Sequence, residues 1–190
     1  DAPLVRYLPE CAGQGRDPIT VRHLLTHTSG LPAGLPATPA WHGLARALEL
    51  ACTRTPTDAP GTAFRYSDVN YILLGELVRR VSGQPLDRFA QQRIFTPLGM
   101  RDSRFVPLAA LDAARIAPTQ RLAAEGRRLL QGEVHDPTAR RMEGVAGSAG
   151  LFTTAHDLAR FARMLLAGGE LDGVRVLSRD SVRLMTTAQT

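Results

Sequence analysis

Apolar residues recur at helical spacing along most of the chain, separated by short turn signals. In Ile19–His27, Val21, Leu24 and Leu25 share a face, Thr20 is placed as an N-cap and Gly30 as the terminator, which predicts a short buried helix. Residues 31–39 are apolar but aperiodic and rich in Pro and Gly, so they read as a loop lying over other surface. A second helix is expected from about Trp41 to Cys52, and Pro60-Gly61 marks the turn after it. From Val69 the residues Ile72, Leu73, Leu77, Val78 and Val81 keep helical spacing up to Gly83, with Ser67 or Asp68 as N-cap. Gly75 lies inside this helix at a cost of about 1 kcal/mol relative to Ala, unless a neighbouring group packs against it. Pro85 suits the first turn of a further helix whose Leu86, Phe89, Ala90 and Ile94 share a face.

From Val106 to Gly144 short apolar runs mix with polar and turn residues, and loops with a short hairpin are expected. Thr154 and Asp157 form a start resembling a capping box, after which Leu158, Phe161, Ala162, Leu165 and Leu166 line one face before Gly168-Gly169. A turn at Asp172-Gly173, a strand over Val174–Leu177 and a last helix from Ser178 complete the pattern, with no internal repeat.

The 190 residues predict one domain of ordinary globular composition, 44% hydrophobic and 22% charged. No apolar stretch is long enough to span a bilayer, and no leader pattern opens the chain. All 23 basic residues are Arg, against 18 acidic ones, for a formal charge of +5. The Arg residues are scattered and rarely interleaved with aromatics, which reads as a solvated surface and not a nucleic-acid groove. The absence of Lys removes a P-loop, a Schiff-base Lys and a Ser-x-x-Lys nucleophile from these residues. Cys11 and Cys52 have no metal-ligand spacing; one disulfide and two buried thiols both fit.

Candidate chemistry concentrates where Tyr66, Ser67 and Asp68 meet the N-terminus of the predicted 69–83 helix, where free N–H groups and the positive dipole end stabilise negative charge. The competing reading is structural: Ser67 and Asp68 cap the helix and Tyr66 packs in the core. His27 and Ser29 read as a helix end rather than a catalytic pair, because no third orienting group is evident. His135-Asp136 and His156-Asp157 read as surface or capping groups, and no metal or organic cofactor is called for. Ala146-Gly-Ser-Ala-Gly150 resembles a nucleophile elbow around Ser148, which would need a buried strand before it and a helix directly after.

Four blocks stand in order along the chain: Thr20-Val-Arg-His-Leu-Leu-Thr-His-Thr-Ser-Gly-Leu-Pro32, Pro60-Gly61 through Phe64-Arg-Tyr-Ser-Asp68 to Gly75, Phe95-Thr-Pro-Leu-Gly-Met100, and Gly147-Ser-Ala-Gly-Leu-Phe-Thr-Thr-Ala-His-Asp-Leu-Ala-Arg-Phe161. Together they resemble the serine β-lactamase-like family, which holds class C β-lactamases, D-alanyl-D-alanine carboxypeptidases and related esterases. The resemblance implies an α/β (α+β) serine β-lactamase/DD-peptidase-like fold, of which this chain is mainly the helical part with most of the antiparallel sheet missing. It implies attack on a carbonyl by a Ser of Ser-x-x-Lys, with the Lys and a Tyr sharing the proton, a small-molecule or peptide substrate, and a periplasmic or secreted setting. Of those groups only Tyr66 is in this chain; the nucleophile motif is expected before Asp1 and a strand motif after Thr190, making residues 1–190 an internal fragment of one hydrolase domain, inactive alone.

Asp68 stands where the family pattern has Asn. An ionised carboxylate only accepts hydrogen bonds, which disfavours a β-lactamase and leaves an ester or peptide substrate more comfortable. Asp68, Ser148 and Gly150 are then expected near the substrate. The resemblance places 146–150 as a Gly-rich loop at the cleft edge. A different class of function is a non-catalytic binding module that keeps the family cleft.

Overall fold

The computed structural model describes residues 1–106, 113–123 and 126–189. In chain order its helices and strands are α1 (Val21–Leu25), α2 (Leu44–Cys52), α3 (Asp68–Ser82), α4 (Leu86–Ala90), β1 (Gln120–Leu122), β2 (Arg128–Leu130), α5 (Pro137–Arg141), α6 (Ala155–Leu166), β3 (Glu170–Leu171), β4 (Val174–Arg175) and α7 (Arg179–Thr186). The chain forms two compact units, Asp1–Leu86 with Val106–Gly150, and Asp87–Phe105 with Leu151–Thr190.

In the first unit, Thr20 caps α1 as its sequence predicts: its hydroxyl accepts from the His23 N–H and its own N–H donates to His23 Nδ1, both at 3.2 Å. α2 starts at Leu44, later than the expected Trp41, because Gly43 lies at positive φ and ends the extended approach. α3 runs to Ser82 and stops at Gly83 in the left-handed region. Leu4, Leu8, Ile19, Leu24, Leu31, Val69 and Leu73 form a fully buried core shared by α1, α3 and the flanking segments. Cys11 and Cys52 are joined in a disulfide inside that core, which resolves the two alternatives the sequence left open. The buried guanidinium of Arg16 donates to the carbonyls of Cys11 (2.8 Å), Ala12 (3.0 Å) and Arg54 (3.2 Å), so a buried cation serves as a backbone clasp beside the disulfide.

Between Val106 and Gly144 lies an antiparallel hairpin pairing Gln120 with Leu130 and Leu122 with Arg128, the short hairpin expected there. The same segment also holds α5, a helix that apolar periodicity missed because five mostly polar residues carry no period; its signals were local, Asp136 as N-cap and Pro137 at the first position. Part of this segment, residues 107–112 and 124–125, lies outside the described residues.

The second unit packs Phe95, Leu98, Met100, Met164 and Leu171 together. α4 passes into a π-helical turn at Gln91–Phe95. β3 and β4 form a hairpin pairing Leu171 with Val174, shorter than the expected Val174–Leu177 strand. Thr154 caps α6 by accepting from the Asp157 N–H at 3.2 Å, but Asp157 does not complete a capping box. Its carboxylate is buried and accepts from the Asp102 N–H at 2.8 Å and the Ser103 hydroxyl at 2.9 Å. The surface or capping role expected for Asp157 is thereby corrected: its side chain anchors a loop 55 residues earlier in the chain. Burial acts to raise its pKa, yet the hydrogen bonds from Asp102 and Ser103 hold it below the ordinary value.

Candidate functional site

Ser67 precedes α3 in an extended conformation and occupies the N-cap position. Its hydroxyl caps nothing and instead donates to the Pro32 carbonyl at 2.6 Å, while the Asp68 N–H donates to the Ala33 carbonyl at 2.8 Å. The aperiodic 31–39 loop thus crosses the start of α3 and is stitched to it. Asp68 is the first residue of the helix, not its cap, which corrects one of its two expected roles. A carboxylate in that first turn faces the positive end of the helix dipole.

Tyr66 is 60% exposed, against the core packing allowed as its structural role. Its hydroxyl donates to Asp68 Oδ1 at 3.1 Å. That hydrogen bond, the charge of Asp68, slight burial and the charge of Asp136 all hold the phenol above its ordinary pKa. Among the described residues, the charges acting on Tyr66 are therefore negative, the reverse of what a phenolate base needs.

The Tyr66 ring lies 4.6 Å, centroid to centroid, from the imidazole of His27, which also meets the rings of Tyr71 at 5.1 Å and Phe64 at 6.0 Å. His27 follows α1 with a φ of 56°, and its Nδ1 is 3.2 Å from both the Ser67 N–H nitrogen and Asn70 Nδ2. Asn70 is wholly buried on α3, and its Oδ1 accepts from the Ser29 hydroxyl at 2.6 Å. Burial lowers the His27 pKa, and the Asp68 charge works against that shift. The orienting group that the His27/Ser29 pair lacked in sequence is thus Asn70. The available signal was a polar residue on an apolar helix face, between Val69 and Ile72 and Leu73.

The loop bearing Ser148 and Gly150 rests on the same helix. A Cβ at Gly147 would overlap the Tyr71 carbonyl oxygen, and one at Gly75 would come within 3.1 Å of the Gly147 nitrogen. This close approach explains why a Gly occupies the middle of α3. The Ser148 hydroxyl is buried and has no hydrogen-bond partner among the described residues. The nucleophile-elbow reading is overturned: α5 and a turn precede Ser148 where a strand is required, the next helix begins only at Ala155, and no base contacts the hydroxyl. The structure joins Tyr66 to Asp68 directly and lays the 146–150 loop about a turn further along α3. Among the described residues no three His, Cys, Asp or Glu side chains converge as metal ligands, and no helix is long and apolar enough to cross a membrane.

A family model described as Beta-lactamase matches residues 1–190. A protein of Escherichia coli (strain K12) named "Putative D-alanyl-D-alanine carboxypeptidase" is 34% identical, over 99% of this chain and 49% of its own length. An N-acetylmuramyl-L-alanine amidase of Bacillus subtilis (strain 168) is 33% identical over 91% of this chain and 44% of its own length. Among solved structures, the octameric penicillin-binding protein homologue from Pyrococcus abyssi superposes with a TM-score of 0.75 at 23% identity, covering 98% of this chain and 42% of that one. The fold is accordingly of the β-lactamase and penicillin-binding-protein type, seen here in its helix-rich part, and the chain spans about half the length of the curated relatives it matches.

Proposed function

The chain belongs to the Beta-lactamase family, and from that premise we propose that it is the central part of one serine hydrolase domain that cleaves an ester or peptide through an acyl-enzyme. Tyr66 is its general base, and Asp68, Ser148 and Gly150 lie near the substrate. The observation that carries this is the exposed Tyr66 hydroxyl, held by Asp68 at the first turn of α3. Asp68 and Asp136 hold the phenol above its ordinary pKa, so its use as a base at neutral pH requires a neighbouring cation that favours the phenolate. The family resemblance supplies that cation from a Lys, and all 23 Lys-or-Arg residues of the chain are Arg. On the resemblance to the family, we take the nucleophilic Ser and its Lys to lie in sequence outside these 190 residues, and the chain by itself to be inactive.

The names of the relatives, carboxypeptidase and amidase, support acyl-bond hydrolysis. Asp68 offers no donor to a substrate amide carbonyl, which ranks ester and peptide above β-lactam. The Cys11–Cys52 disulfide fits an oxidising compartment such as the periplasm or the outside of the cell.

The test is to assay the full-length protein with an aryl ester, a D-alanyl-D-alanine peptide and a β-lactam, beside its Tyr66→Phe variant and the 190-residue chain. Turnover of ester or peptide that Tyr66→Phe abolishes, with none from the chain alone, is the expected result. Undiminished turnover by Tyr66→Phe refutes the base. A full-length protein that binds but never turns over makes a binding module of it.

A further inference from the structure

His27 contacts Tyr66 and both residues that bracket it. Its carbonyl oxygen accepts from the Arg65 N–H at 2.8 Å, its Nδ1 faces the Ser67 N–H at 3.2 Å, and its ring lies against the ring of the residue between them. The hydrogen-bond chemistry of this clamp has one consistent solution. The Ser67 N–H is a backbone donor and cannot reverse its role, so Nδ1 must carry a lone pair. Asn70 must then turn its NH2 towards Nδ1 and its Oδ1 towards Ser29, whose hydroxyl donates. Ser29 is free to do so, because its oxygen accepts the Leu31 N–H at 3.1 Å. The remaining imidazole proton sits on Nε2.

Ser29 and Asn70 are both buried, which fixes the amide against rotation by water. Reversing it would set Asn70 Oδ1 against the Nδ1 lone pair, or force a proton onto Nδ1 opposite the Ser67 N–H. His27 is also kept in the left-handed backbone region, one that non-glycine residues adopt only where the surroundings enforce it. The elements that enforce it come from the end of α1, the segment before α3 and the first turn of α3.

We propose that His27 is the positioning residue of Tyr66: the chain from Leu31 N–H through Ser29 and Asn70 locks the imidazole as its neutral Nε2–H tautomer, and the imidazole in turn seats the phenol. This rests on Tyr66 being the proton-handling group. His27 has no contact with substrate in this role and acts through the ring and the two peptides that bracket Tyr66. Phe at position 27 keeps a ring but loses the acceptor. Asn keeps an acceptor near the Nδ1 position and tolerates the left-handed backbone, but loses the ring. Asp at position 70 replaces the donor facing Nδ1 with an acceptor.

The experiment has two readouts on the full-length protein. Nitrogen NMR of the imidazoles, with the His27 signals assigned by their loss in His27→Asn, reports the tautomer without recourse to activity. The expected result is a bare Nδ1 and a protonated Nε2, changed to a protonated Nδ1 in Asn70→Asp. Steady-state kinetics with an aryl ester then compare His27→Phe, His27→Asn, Asn70→Asp and Tyr66→Phe. A misplaced reacting group costs on the order of a hundredfold, so His27→Phe and Asn70→Asp are expected to lose about that much in kcat with KM little changed. His27→Asn should recover part of the loss. Full kcat in His27→Phe while Tyr66→Phe is dead overturns the positioning role and leaves Tyr66 as the base. Full activity in Tyr66→Phe removes the base itself. A protonated Nδ1 in the unmodified protein overturns the relay whatever the kinetics give, including where a variant fails to fold.

Discussion

Reduction of the Cys11–Cys52 disulfide is expected to remove a large share of the stability of the first unit. The two cysteines are 41 residues apart, and both sulfurs lie in the buried core, so reduction changes chiefly the cross-link. Closing a loop of that length in the unfolded chain removes about 13 cal/mol/K, or about 4 kcal/mol at 25 °C. Whole domains are stable by roughly 5–15 kcal/mol, so the loss is a large fraction of the total. With a urea slope of about 2 kcal/mol/M, the unfolding midpoint should fall by about 2 M. Trp41, the one tryptophan of the chain, belongs to the first unit and donates to the Pro36 carbonyl at 2.7 Å, so its fluorescence reports that unit. The assay is urea unfolding followed by Trp41 emission, with and without reductant, and thiol titration to confirm the open bond. A shift under about 0.5 M with both thiols free would refute the loop-entropy account.

Three other consequences are open to measurement. Gly147→Ala drives a Cβ into the Tyr71 carbonyl, a backbone group that cannot swing aside, and should cost about 1–3 kcal/mol in denaturant unfolding; Gly75→Ala, whose contact is looser, should cost less, and the opposite order would show that the loop moves freely. His23 and His27 both have pKa values lowered by burial, so between the lowered value and the ordinary 6.5 the unfolded chain binds more protons than the folded one. Their stabilisation is complete above 6.5 and declines as the pH drops through it; unfolding midpoints at pH 7.5 and 5.5 should differ in that sense, less so in His27→Asn. Leu158 and Leu166 on α6 and Leu184 and Met185 on α7 are each more than half exposed, so the 190-residue chain made alone should self-associate in light scattering. Glu at positions 166 and 185 should suppress this, and a monodisperse unmodified chain would contradict it.

Much of this protein is encoded within four residues along the chain. The caps at Thr20, Thr154 and Ser178 and the course of α3 follow from side chains meeting backbone or neighbours one helical turn away, and such contacts survive as spacing in the sequence. The β-lactamase-like family was equally legible, because its four blocks keep their order, and with it Tyr66 and Asp68 as a candidate pair. Tertiary structure decided the rest. Ser29 meets Asn70 across 41 residues and Asp102 meets Asp157 across 55, and no periodicity records a partner at that distance. A carboxylate that reads as a cap becomes a buried anchor, and a histidine that reads as a helix end becomes the seat of a tyrosine. The upward shift of the Tyr66 pKa likewise draws on space as well as sequence, since Asp136, far along the chain, adds to the effect of neighbouring Asp68 and charge acts through distance and dielectric.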